Sequence, residues 1–228
     1  MTISLAFDVY GTMIDTSGVV TALEKIIGDQ AGDFSQVWRE KQLEYSFRRG
    51  LMQNYRDFSV CTEQALDYAC LSFGIKLTQD QKRSLMDGYK VLPPHPDVKE
   101  GLSKLKAAGF RMFAFSNGLA DDVRSLLNHA DIEGFFDGIV STDEVKSYKP
   151  NPGVYAHFLR QSESTGSEAW LISSNPFDVI GAVSAGMRAA WVRRSPEAIF
   201  DPWGIEPTVT VGGITELYES LSHSGNPA

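Results

Sequence analysis

From residue 95 onward the hydrophobic pattern switches repeatedly between two periods, and no other feature restricts the fold as much. DVKEGLSKLKAAG, LADDVRSLLNHA, NPGVYAHFLRQ and FDVIGAVSAG carry apolar residues at helical spacing. Between and after them lie short apolar runs, RMFAFS, FFDGIVS, AWLISS, MRAAWVRR and PTVTVGG, and a last helix starts at Ile214. Helix and strand alternating through short loops predict a parallel sheet with helices on both faces. ISLAF, residues 3–7, supplies a further buried strand at the N-terminus.

Residues 17–92 read differently, as helix throughout. VVTALEKIIG stops at Gly28, and DFSQVWREKQLEYSFRRG is expected to be capped by Asp33 and to end at Gly50. DFSVCTEQALDYACLSFG runs from Asp57 to Gly74, and Thr78 and Gln81 stand at capping-box spacing. The expectation is an α/β fold with a Rossmann-like parallel-sheet core, residues 1–14 and 95–228. A helical cap domain, residues 15–94, is inserted after the first strand. The tail SHSGNPA is expected to be disordered.

Composition excludes several functions. The net charge of −8 argues against nucleic acid, whose phosphates require a basic patch. The two cysteines, Cys61 and Cys70, form no metal motif and suit a reducing compartment. No apolar run approaches a membrane span, and the first apolar stretch contains Asp8 and lacks a basic leader. The cytoplasm is the expected location.

Ligands of open α/β sheets bind beyond the carboxyl ends of the strands. Four such ends carry chemistry: Asp8, Ser116-Asn117, the loop holding Lys149, and Ser173-Ser174-Asn175. Singly, each has a plain explanation. Ser116-Asn117-Gly118 is ordinary turn chemistry. Asn175-Pro176-Phe177-Asp178 looks like a helix start, and Arg39 like a solvated helix face.

Together, in this order, the four ends resemble the haloacid dehalogenase superfamily, and more closely its L-2-haloacid (type II) dehalogenase branch. FDVYGT resembles that branch's nucleophile segment, with Tyr10 where phosphatases of the superfamily carry a second Asp. VWREKQLEYS is similar to its signature cap helix, and FSNG, KSYKPNPGVY and ISSNPFDVIGA to its remaining motifs. Two residues depart from the pattern: Glu40 replaces the Gln that follows the cap arginine, and Phe177 replaces a Trp before the last Asp. Both positions line the family's substrate pocket.

The resemblance implies a cofactor-free, metal-free hydrolase for short (S)-2-haloacids, working through an ester on Asp8 with inversion at C2. Arg39, helped by Asn117, would receive the halide. Ser116 and the amides near Val9 and Tyr10 would hold the substrate carboxylate. Thr12 would orient Asp8, and Lys149, placed near Ser173 and Tyr155, would keep it ionised. Asp178 with Asn175 would position the hydrolytic water. Tyr10, Leu43, Phe58 and Phe177 would surround the alkyl group, and Glu40 would line the substrate pocket. A homodimer is implied as well; the halogen preference, fluoroacetate included, stays open. A halide leaves without a proton, so an acid at position 10 is dispensable. The alternatives are a metal-dependent phosphatase of the same superfamily and a non-enzymatic interaction module. Tyr10 and Ser173-Ser174-Asn175 count against the first, and the presence of Asp8 and Arg39 against the second.

Overall fold

A computed structural model describes residues 3–224. Its centre is a six-stranded, all-parallel sheet in the order β3-β2-β1-β4-β5-β6. The strands are β1 (Ser4–Phe7), β2 (Arg111–Ser116), β3 (Gly138–Ser141), β4 (Ala169–Ser173), β5 (Arg188–Val192) and β6 (Val209–Val211). Alternate residues face opposite layers, as the strand period requires. Leu5, Phe7, Met112, Ala114, Trp170 and Ile172 join one buried cluster. Ala6, Phe113, Phe115, Ala169 and Leu171 join the other. The sheet is covered on both faces, which explains why its strands read as unbroken apolar runs.

Between β1 and β2 lie α1 (Ser17–Ile27), α2 (Ala31–Leu51), α3 (Phe58–Phe73) and α4 (Gln79–Gly88), followed by α5 (Val98–Ala107). Of the first four, α2 packs along α3, and α1 packs on α2 and α4. The two chain crossings to these helices run side by side. Asp15 N–H donates to Pro93 O and His95 N–H to Met13 O, each at 2.9 Å. Helices α6 (Ala120–His129), α7 (Pro152–Gln161), α8 (Pro176–Ser184) and α9 (Leu217–Ser224) complete the fold.

Several helix ends follow directly from sequence. Asp57 caps α3 by accepting from Val60 N–H, and Gly74 ends it at φ 66, where a side chain would be strained. Thr78 and Gln81 form the capping box of α4. Other ends differ. Gly28 closes α1, but a 3-10 turn leads straight into α2 from Gln30, so Asp33 sits inside the first turn and caps nothing. α2 also runs past Gly50 to Leu51. β3 begins at Gly138 rather than Phe135, because the Asp137 carboxylate takes the Met112 N–H that a strand carbonyl would otherwise accept. Of the C-terminal tail, Ser222–Ser224 is the last turn of α9, and 225–228 lies outside the described residues.

Candidate active site

Asp8 is the first residue beyond β1, a central strand flanked by β2 and β4. Its N–H continues the ladder to Ile172 O at 2.9 Å, so its side chain emerges level with the ends of both neighbours. The chain then turns sharply. Val9 is fully buried, its carbonyl accepts from the Met13 and Ile14 amides, and Gly11 takes φ 78. The turn brings Thr12 back to Asp8, and Thr12 Oγ1 donates to Asp8 Oδ2 at 2.8 Å. Asn175 Nδ2 donates to the same oxygen at 2.8 Å and Ser173 Oγ at 3.4 Å. Among the described residues, Oδ1 meets Lys149 Nζ alone, at 3.2 Å.

Lys149 is 1% exposed and divides its ammonium among Asp8, Asp178 Oδ2 at 2.8 Å and Phe115 O at 2.9 Å. Burial pulls its pKa down, but Asp178 and Asp8 outweigh burial and hold it above the ordinary lysine value. Ser173 and Tyr155 each stand one partner away from the ammonium, Ser173 through Asp8 and Tyr155 through Asp178. Asp178 is fully buried, with Oδ1 accepting from Tyr155 OH at 2.8 Å. Burial pushes its carboxyl up, Lys149 opposes that, and Asp8 adds to it.

Asp178 does not line the cavity over Asp8. Of the pair expected to position the hydrolytic water, Asn175 alone touches Asp8, and Asp178 connects to it through Lys149. The helix-start reading of this segment gives way at the side chains. Pro176 opens α8, but the Asn175 side chain makes no cap bond, and the Asp178 carboxylate turns to Lys149 and Tyr155.

A small cavity of about 20 Å³ lies over Asp8, walled by Tyr10, Arg39, Leu43, Phe58, Ser116, Asn117, Lys149, Asn175 and Phe177. Asn117 Oδ1 accepts from Lys149 N–H at 3.0 Å, which leaves its amide Nδ2 as a donor. Ser116 Oγ accepts from Gly118 N–H, keeping its own proton to give. Among the described residues, the Val9 and Tyr10 amides donate to no protein acceptor. Phe177 packs edge-on against Phe47, ring centroids 5.1 Å apart. Burial, then Asp122, push the Tyr10 phenol well above its ordinary value, so it stays neutral.

Glu40 is absent from this wall. It is exposed and accepts from Gln36 Nε2 at 2.9 Å. The expected place in the pocket is not observed: one helical residue is a turn of about 100°, and here it carries Glu40 away from the cavity that Arg39 borders.

Sequence reading missed several supports. Ser174 holds Thr12, donating from its N–H to Thr12 Oγ1 at 2.9 Å. Gly181 leaves room for Tyr155: a Cβ there would lie 2.4 Å from the phenol oxygen. Gln42 accepts from Arg39 Nη1 at 2.6 Å, and the three-residue spacing of the two on α2 was the available signal.

A divalent cation, as in metal-dependent relatives of this fold, does not fit these residues. The carboxylates able to hold it, Asp8 and Asp178, already share the Lys149 ammonium that lies between them. Among the described residues no group of three or more His, Cys, Asp or Glu side chains is arranged to ligate one.

A family model for haloacid dehalogenase-like hydrolases matches residues 4–186. (S)-2-haloacid dehalogenase H-109 of Pseudomonas putida is 36% identical over 95% of this chain and 96% of its own. Haloacetate dehalogenase H-2 of Moraxella sp. is 35% identical over 91% and 92%. Among solved structures, an L-2-haloacid dehalogenase from Xanthobacter autotrophicus with chloropropionic acid covalently bound superposes with a TM-score of 0.88 at 29% identity. That match covers 97% of this chain and 99% of the other.

Proposed function

The chain belongs to the haloacid dehalogenase-like hydrolases, and within that family we propose that it hydrolyses the carbon–halogen bond of short (S)-2-haloalkanoic acids and haloacetates. One observation carries the reading. A carboxylate, Asp8, is fixed by Thr12, Asn175, Ser173 and Lys149 in a small cavity whose lining includes a guanidinium, Arg39.

In the first step Asp8 attacks C2 from the side opposite the halogen. A Cγ-carboxylate oxygen–C2 bond forms, the C–X bond breaks, and the halide departs with the electron pair. We assign the attack to Oδ1, since Oδ2 already accepts three hydrogen bonds. Arg39 and the Asn117 amide face the departing halide, while Ser116 and the Val9 and Tyr10 amides hold the substrate carboxylate. Tyr10, Leu43, Phe58 and Phe177 enclose the alkyl group and keep bulk water out.

In the second step water attacks Asp8 Cγ and the ester bond to the alkyl oxygen breaks. The 2-hydroxy acid leaves with an oxygen that came from Asp8. One water proton ends on that hydroxyl, and the other is released as Asp8 returns to carboxylate. Asn175 is placed to hold the water. Asp178 takes that second proton by relay: Lys149 gives one of its own protons to Asp178 Oδ2 as it accepts one from the water, and so remains an ammonium. Position 10 needs no acid because halide needs no proton, which sets this site apart from the phosphatase alternative.

We further place the protein in the cytoplasm as a homodimer, with residues 15–94 acting as a cap over the core. Both cysteines are free and buried, in keeping with a reducing compartment. No helix among the described residues is long and apolar enough to cross a membrane. The test is halide release from fluoro-, chloro- and bromoacetate and from each enantiomer of 2-chloropropionate. Release from the (S) enantiomer with an (R)-lactate product supports the reading; no release from any member contradicts it.

A further inference from the structure

We propose that Gln42 is a positioning residue that fixes the Arg39 guanidinium against the departing halide. The proposal rests on the reading of Arg39 as the halide's partner. Arg39 Nη1 donates to Gln42 Oε1 at 2.6 Å, and Gln42 is 2% exposed. Gln42 Nε2 donates to Thr62 Oγ1 at 2.6 Å, and Thr62 Oγ1 donates to Phe58 O at 2.8 Å. Trp38 Nε1 pins the same turn of α3 through Thr62 O at 2.8 Å.

Each bond in this chain fixes the sense of the next. The Phe58 carbonyl can only accept, so Thr62 gives its proton there and presents a lone pair to Gln42. The amide meets that lone pair with its NH₂ and turns its oxygen to Arg39. Phe58 itself borders the reacting cavity, so the chain begins and ends at the site.

A neutral acceptor suits the task. A carboxylate in this buried place would pair with Arg39 and cancel the charge offered to the halide. An amide occupies one of the five guanidinium N–H donors and leaves the positive charge intact.

The experiment compares Gln42→Glu, Gln42→Met and Thr62→Val with wild type, with Arg39→Lys as reference. The readouts are inhibition by free chloride and bromide, and the rate ratio between (S)-2-chloropropionate and (S)-2-bromopropionate. Chloride is the poorer leaving group, so loss of positioning slows its release more. Both Gln42 variants should weaken halide inhibition on the order of tenfold and lower the chloro/bromo ratio. Thr62→Val, nearly isosteric, should shift both in the same direction by less. A purely structural role lowers rates and melting temperature but leaves both readouts unchanged. Folded Gln42 and Thr62 variants with unchanged halide inhibition and ratio, while Arg39→Lys moves both, would overturn the proposal and spare the Arg39 reading. If Arg39→Lys moves neither, the Arg39 reading fails and the proposal with it.

Discussion

Lys149 Nζ lies 3.2 Å from Asp8 Oδ1, although 141 positions separate the two residues in sequence. The same ammonium reaches Asp178 at 2.8 Å, so a single buried cation organises both carboxylates of the site. Both carboxylates thus already share a positive charge that this chain itself supplies. Nucleophile, cation and second carboxylate come from the ends of three chain segments that only the parallel sheet brings together.

Halide release should therefore be unchanged after treatment with EDTA and dialysis, and hydrolysis of p-nitrophenyl phosphate should be negligible with or without Mg²⁺. A steady-state assay of both reactions checks this. Mg²⁺-stimulated phosphate release would restore the phosphatase alternative.

Arg39→Ala should nearly abolish halide release, and Arg39→Lys should recover little, since an ammonium lacks the planar fork of donors. The expected loss in kcat for alanine exceeds tenfold, that is ~1.4 kcal/mol of transition-state stabilisation. A smaller loss would remove Arg39 from the leaving-group role.

The half-reactions should separate at Asp178. Asp178→Asn should still be alkylated but release product slowly, so intact-protein mass spectrometry should show a carboxyalkyl adduct that peptide mapping places on Asp8. If Asp178 serves only to hold Lys149, both steps slow together and no adduct accumulates. Asp8→Asn is the control and should show none.

Acid sensitivity should trace in part to His95, where the chain returns from the helices to the core. Burial, then Arg194, hold its imidazole below the ordinary value of 6.5, and its Nε2 is buried without a partner among the described residues. The folded state thus favours neutral His95, whose contribution is present above the unfolded value and is lost as pH falls through the folded one. Urea midpoints at neutral pH and at about pH 5 check this. His95→Gln should lose less stability on acidification than the wild type, and an equal loss would exclude His95 as a source.

The sequence made most of this fold legible because its signals were local. Asp57, Gly74 and the Thr78–Gln81 box each act within one turn, and each appears where the residues indicate. Asp33 misled because a cap residue is informative only if the helix starts there, and α2 starts earlier, from Gln30. At the site, residue types and strand ends were readable, but facing was not. Glu40 points to solvent although its neighbour Arg39 points inward, and Asp178 lies behind Lys149 although Asn175, three residues earlier, lies in front. Helical periodicity shows that such neighbours diverge, but which of them faces the cavity is decided by the tertiary packing of α2 and α8, which leaves no mark in a single sequence.

The central claim is that Asp8 is a covalent nucleophile, and single turnover in ¹⁸O-labelled water with enzyme in excess tests it most directly. Water that attacks Asp8 Cγ leaves its oxygen in the protein. The account therefore predicts an unlabelled 2-hydroxy acid and an Asp8 peptide heavier by the mass of one ¹⁸O substitution. Label in the first-turnover product with an unlabelled Asp8 peptide would mean that water attacks C2 directly, and would contradict the account.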